Sequence, residues 1–156
     1  MKLKNSVFMA LTALLCASGL FSQTAENVSR TITYDYASLG DTCYYLAVYK
    51  ELVPDEATAR DSYTMMCDKK LCHLKMNPMY AVNYKQLAGL CMKTFGFRGG
   101  IMYGITHSDH YAFRELQARG YISSETDPRD YVSGSNMLNL INRCVEAESG
   151  IDKKAD

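Results

Sequence analysis

The sequence contains no tryptophan and three prolines, against twelve tyrosines. Its large rings are therefore mostly ones that bury a face while keeping a hydroxyl in water, which suits shallow helical packing and adhesive surfaces. No run alternates apolar and polar residues over the length of a strand, which leaves an all-α class. No apolar run beyond residue 15 approaches the roughly 20 residues of a membrane span, so the mature chain is expected to carry no transmembrane segment. There is no basic cluster either. Subtracting the two lysines of residues 1–23 leaves fifteen basic residues against seventeen acidic ones, a net charge of −2. That balance argues against nucleic acid and against an anionic membrane surface as partners. No Ser/His/Asp set, paired catalytic carboxylates, phosphate-cradling glycine loop or H-E-x-x-H helix is readable, so no enzyme is expected.

What is present begins with an export signature. Lys2 and Lys4 precede an apolar run from Val7 to Leu15, followed by small residues Ala17, Ser18 and Gly19 and polar Ser22-Gln23. This order reads as a signal peptide over residues 1–23, cleaved between Gly19 and Gln23. Cys16 raises the possibility of a lipoprotein, but bulky Leu15 stands where lipid attachment wants a small residue. Residues 24–33 read as a flexible polar leader, with a glycosylation-type triplet at Asn27-Val28-Ser29.

The centre of the chain is a stretch that occurs twice. Ser62 to Phe95 matches Ala112 to Val145 without a gap at an offset of 50. Pro78 falls on Pro128, Asn77 on Asp127, Val82 on Val132, Asn83 on Ser133, and Leu87, Leu90 and Cys91 on Met137, Leu140 and Ile141. A fixed period of this kind marks stacked supersecondary units that share a core. The spacing predicts about five helices. The first runs from Tyr34 to Leu52, capped by Asp35 or Ser38, and the second from Asp55 or Glu56 to Lys69. The third is Tyr84 to Phe95 behind Asn83, the fourth Asp109 to Arg119 behind Ser108, and the fifth Gly134 to Glu148 behind Ser133. Leu71 to Val82 and Tyr121 to Val132 read as loops, and Ile101 to Tyr103 as an apolar patch folding back on the core. Residues 34–148 thus form one helical domain, two stacked helix–loop–helix repeats, followed by a disordered tail at 149–156.

In the second copy a helix ends in Leu116-x-x-x-Gly120, a loop leads to Pro128, and Val132-Ser133 opens the next helix; the first copy has Met66, Pro78 and Val82-Asn83 in the same register. This order resembles the S-layer homology (SLH) module of bacterial surface proteins, where a proline precedes an Ile-Thr-Arg-Ala-Glu stretch. Gly99 to Tyr103 and Tyr111 to Leu116 are similar to small exported spirochaete-type proteins with an SLH-like pattern. The resemblance implies a helical module bound to the cell envelope through a cell-wall glycan or an envelope protein. It places a groove at Tyr84 and Gln86 in the first copy and Gly134 and Asn136 in the second, where the family has arginine and glutamate. The cation that would pair with an anionic glycan is thus missing from both. A complete site in that family combines three modules, whereas this chain offers two and a first helix readable as half of another.

Five cysteines follow the signal: Cys43, Cys67, Cys72, Cys91 and Cys144. The register sets Cys72 on Ile122 and Cys91 on Ile141, which points to buried thiols at core positions. If a disulfide forms, Cys67–Cys72 is the pair nearest in sequence. Cys67-Asp-Lys-Lys-Leu-Cys72-His73 is also a widened form of the covalent haem c attachment pattern, with His73 as proximal ligand and Met76 or Met79 as distal ligand. A small c-type haem or redox protein is therefore the alternative to a cofactor-free module. His107 and His110 read as a solvated helix start rather than as metal ligands. The leading expectation is an exported, periplasmic or envelope-associated, non-enzymatic module without cofactor.

Overall fold

The computed structural model describes residues 25–72 and 76–150. Within them the chain is all-α, with isolated bridges at Ser38–Ala81 and Asn83–Tyr131 and no strand. There are seven helical segments: α1 (residues 25–32), α2 (Leu39–Tyr49), α3 (Ala59–Asp68), α4 (Tyr84–Thr94), α5 (Ile101–Thr106), α6 (Asp109–Ala118) and α7 (Gly134–Glu148). The expected signal segment, Cys16 included, lies outside the described residues, as do residues 151–156 of the expected tail. The described start of that tail is ordered: Ser149 caps α7, and its amide donates to the carbonyl of Val145.

The repeat is visible bond for bond. Thr58 and Ser108 cap α3 and α6, each accepting from the amide three residues on. Both helices end in a left-handed residue, Lys70 and Gly120, after which Leu71 donates to Met66 and Tyr121 to Leu116, each at 2.9 Å. Asn77 and Asp127 then close matching side-chain turns onto the amides of Met79 and Arg129 at 2.9 and 2.8 Å. These turns carry Pro78 and Pro128 into the next helix. Asn83 and Ser133 cap α4 and α7.

A third member completes the arrangement. Ser38 caps α2 as Asn83 caps α4, and the residues before the three caps, Ala37, Val82 and Val132, are fully buried. Their backbones form a closed triangle. Ala37 donates to Val132 at 2.7 Å, Val132 to Val82 at 3.0 Å, and Val82 to Ala37 at 2.9 Å. Around this hub the helix starts interlock: Leu39 donates to Tyr80, Tyr84 to Asp130, and Gly134 to Tyr34. The chain therefore has an approximate threefold centre, with α2, α4 and α7 radiating from it. Thr42, Leu87 and Met137 fill the equivalent core positions beneath, each fully buried. α3 packs on α2, and α6 on α4.

Three expectations are corrected. The leader is helical over residues 25–32 and docked. Thr31 is buried, its hydroxyl lies 2.8 Å from that of Tyr45, and its backbone seats against Gly134. Polar contacts hold α1, so no apolar stripe announced it. The first long helix starts at Leu39 rather than Tyr34, because residues 34–38 stay outside the helix to build the hub and Ser38 supplies the cap. Of the patch from Ile101 to Tyr103 only Tyr103 reaches the core, and Ile101 and Met102 are exposed. The patch forms part of α5, from which only Tyr103 is buried.

Candidate functional site

Each radiating helix flanks a depression built from equivalent parts: one face of the helix, the segment before it, and the first residue of a neighbouring helix. Under α4 the depression holds only about 30 Å³. Leu39, Leu71, Leu90, Met76 and Lys93 fill it, and Asp109 closes it beside Gly89. Under α2, Tyr44, Tyr45 and Arg30 leave about 170 Å³. Under α7 the same position opens into a groove of about 670 Å³, within the ~300–1,000 Å³ usual for small-ligand sites.

The cause is a change of residues on one helix face. Where α3 covers α2 the residues are Tyr44 and Ala47, and where α6 covers α4 they are Gly89 and Met92, all buried. At the matching positions α7 has Asn139 and Asn142, both exposed. On this side α7 turns a polar face outward.

Tyr84 and Tyr121 supply the aromatic walls of this groove, and Asn136, Asn139 and Asn142 a row of amides at helical spacing. Asn136 Nδ2 donates to the Tyr84 hydroxyl at 3.0 Å, joining two of the four residues expected at a groove. Arg143 donates to the carbonyls of Gly120 and Tyr121 at 2.8 and 3.4 Å, and Gln117 donates to those of Ser123 and Thr126 at 2.9 and 3.4 Å. These four bonds fix the loop that forms the far wall. Among the described residues the side chains of Asn139 and Asn142 have no hydrogen-bond partner. With Arg143 and Glu146 both on the rim, the groove is close to neutral. Aromatic faces and the amides of Asn139 and Asn142 in a neutral cleft are chemistry for holding a polyhydroxylated ligand by stacking and hydrogen bonding.

The other two expected groove residues are used elsewhere. Gln86 closes a capping box, its Oε1 accepting from the Asn83 amide at 3.1 Å while Asn83 accepts from the Gln86 amide at 2.9 Å. Gly134 is buried, and a Cβ there would collide with the carbonyl oxygen of Thr31. Asn139, Asn142 and Arg143 were missed. Their signal was a break in the repeat: Gln86, Gly89 and Met92 in one copy become three asparagines in the other.

Cys67 and Cys72 form a disulfide with Cα atoms 4.6 Å apart, which corrects the reading of Cys72 as a buried thiol. The left-handed turn at Lys70 brings residue 72 back over residue 67. Thioether attachment of haem needs both sulfurs as free thiols, and here each is bonded to the other; His73 lies outside the described residues. Cys43, Cys91 and Cys144 are free and fully buried. Burial pushes the Cys43 thiol up to about 12. Cys91 is also raised well above its ordinary value, first by its hydrogen bond with Cys144 and then by burial. Among the described residues no group of His, Cys, Asp or Glu is placed to hold a metal, and no helix is long and apolar enough to cross a membrane. His107 ends α5 in a left-handed conformation, and both it and His110 are exposed.

Compared with protein-family models, with curated proteins and with solved structures, the chain matches none of them.

Proposed function

We propose that the protein is an exported, non-enzymatic SLH-like module that associates with the cell envelope by holding a glycan chain in the groove under α7. One observation carries this reading: of three equivalent depressions, this one alone is both wide and lined by uncommitted amides beside two tyrosine rings. The near-neutral rim favours a neutral or N-acetylated sugar over a strongly anionic polymer. The arginine that would pair with an anionic glycan in SLH modules is absent from both matching positions, Tyr84 and Gly134. Three helix–loop units around one centre also fit a family in which three modules make one site. Export fits the disulfide, since such bonds persist mainly in oxidising compartments.

The test is retention on purified peptidoglycan and on cell-wall polysaccharide. Wild type should be retained, and Tyr84→Ala and Asn139→Ala should each lose about tenfold in affinity, the loss of stacking or of one or two hydrogen bonds. Gln86→Ala should keep full retention while lowering stability, because Gln86 serves the cap. If wild type passes through both matrices, or the groove variants bind as wild type does, the glycan reading is wrong and a protein partner takes its place.

A further inference from the structure

α5 has no counterpart in the other linkers. Between α2 and α3 the chain crosses without a helix, whereas between α4 and α6 it inserts one. That helix presents Ile101, Met102 and Ile105 at 82 %, 50 % and 73 % exposure. The three lie at i, i+1 and i+4, so they share one face. The face is held outward by firm attachment on the other side. Tyr103 is buried, the Glu115 carboxylate accepts from the Gly100 amide at 2.9 Å, and Arg119 sits over the Phe97 ring and donates to the carbonyl of Arg98.

We propose that α5 docks the protein on a lipid bilayer, with Ile101, Met102 and Ile105 entering the interfacial zone and Arg98 and Arg114 meeting anionic headgroups. The local charge supports that occupant. Of the nearby acids, Glu115 is engaged by Gly100 and Arg119, and Asp109 by Lys93. Among the described residues the side chains of Arg98 and Arg114 have no acidic partner, and Arg114 borders the shallow depression beside Ile101 and Met102. The whole-chain charge argued against an anionic surface; the distribution around α5 supplies the attraction locally. A bilayer also suits the size of the patch. A stable protein interface buries about 800 Å² per partner, more than a six-residue helix offers. A few aliphatic side chains assisted by cations suffice for reversible contact with lipid.

The experiment is vesicle flotation of the chain from residue 24, which carries every described helix and leaves out the apolar run at residues 7–15. Vesicles of phosphatidylcholine alone are compared with vesicles containing phosphatidylglycerol; no glycan is present, so the result is independent of the groove. Wild type should float with the anionic vesicles, and less so as salt rises. Ile101→Ser and Ile105→Ser should each reduce partitioning about tenfold, and Arg114→Gln about fivefold. All three positions are exposed, and unchanged thermal melting would show that folding is intact. Failure of wild type to float with either vesicle overturns the proposal. So does flotation unaffected by the serine variants, or capture of α5 by an envelope protein in place of lipid.

Discussion

The amide of Ala37 donates to the carbonyl of Val132 at 2.7 Å, joining the approach to α2 to the approach to α7. With Val82 the two close a triangle in which no member can be lost without opening the others. Val82→Pro removes one donor and should cost about 3 kcal/mol or more, against under about 1.5 kcal/mol for the side-chain change Val82→Ile. In hydrogen exchange the amides of Ala37, Val82 and Val132 should open only with global unfolding. Fast exchange at any of the three would remove the hub from the centre of the fold.

Two glycines give opposite expectations. A Cβ at Gly134 would run into the Thr31 carbonyl, whereas one at Gly104 would meet nothing within 4 Å. Gly134→Ala should destabilise by about 2–3 kcal/mol and loosen α1. Gly104→Ala should be neutral or stabilising by up to about 1 kcal/mol. Thermal unfolding of both variants checks the seating of α1, which is otherwise held by few apolar contacts.

Thiol counting tests the cysteine assignment. With the chain from residue 24, the native protein should take up no alkylating label, the denatured protein three labels, and the denatured, reduced protein five. Cys67→Ser should cost about 2 kcal/mol, the entropy of a short closed loop. The purified protein should show no Soret band. A Soret band surviving denaturation would restore the haem reading at Cys67, Cys72 and His73.

Alkali should weaken the fold. Burial raises Cys43 from an ordinary 9.0 to about 12, and Cys91 is raised as well. The folded chain keeps protons that the unfolded chain releases. The stabilising contribution is therefore complete below about pH 9 and is lost as pH rises from there toward 12, at about 1.4 kcal/mol per pH unit for each thiol. Denaturant midpoints from pH 7 to 10 should bend downward above pH 9, and Cys43→Ala should shallow the bend. A midpoint unchanged up to pH 10 would mean that Cys43 is not sealed from water.

The repeat could be read from sequence because its signals coincide in both copies: a cap at Asn83 and Ser133, a proline five residues before it, and an apolar stripe after it. The third unit showed only as a first helix readable as half of another module, because it lacks the proline, puts small Ala37 where its partners have valine, and fastens α1 through tyrosine hydroxyls. Of the four residues expected at a groove, two are brought together. Tyr84 and Asn136 line the cleft under α7, while Gln86 had a local use as a cap that the pattern did not rank above ligand contact. α5 misled for the reverse reason. Ile-Met-Tyr reads as core in any hydropathy pattern, and only its attachment through Tyr103 and Glu115 turns the isoleucines outward.

The triangle at Ala37, Val82 and Val132 also sets the order in which this protein can become itself. A growing chain cannot close this ring until the approach to α7 has emerged, so the knot is tied last.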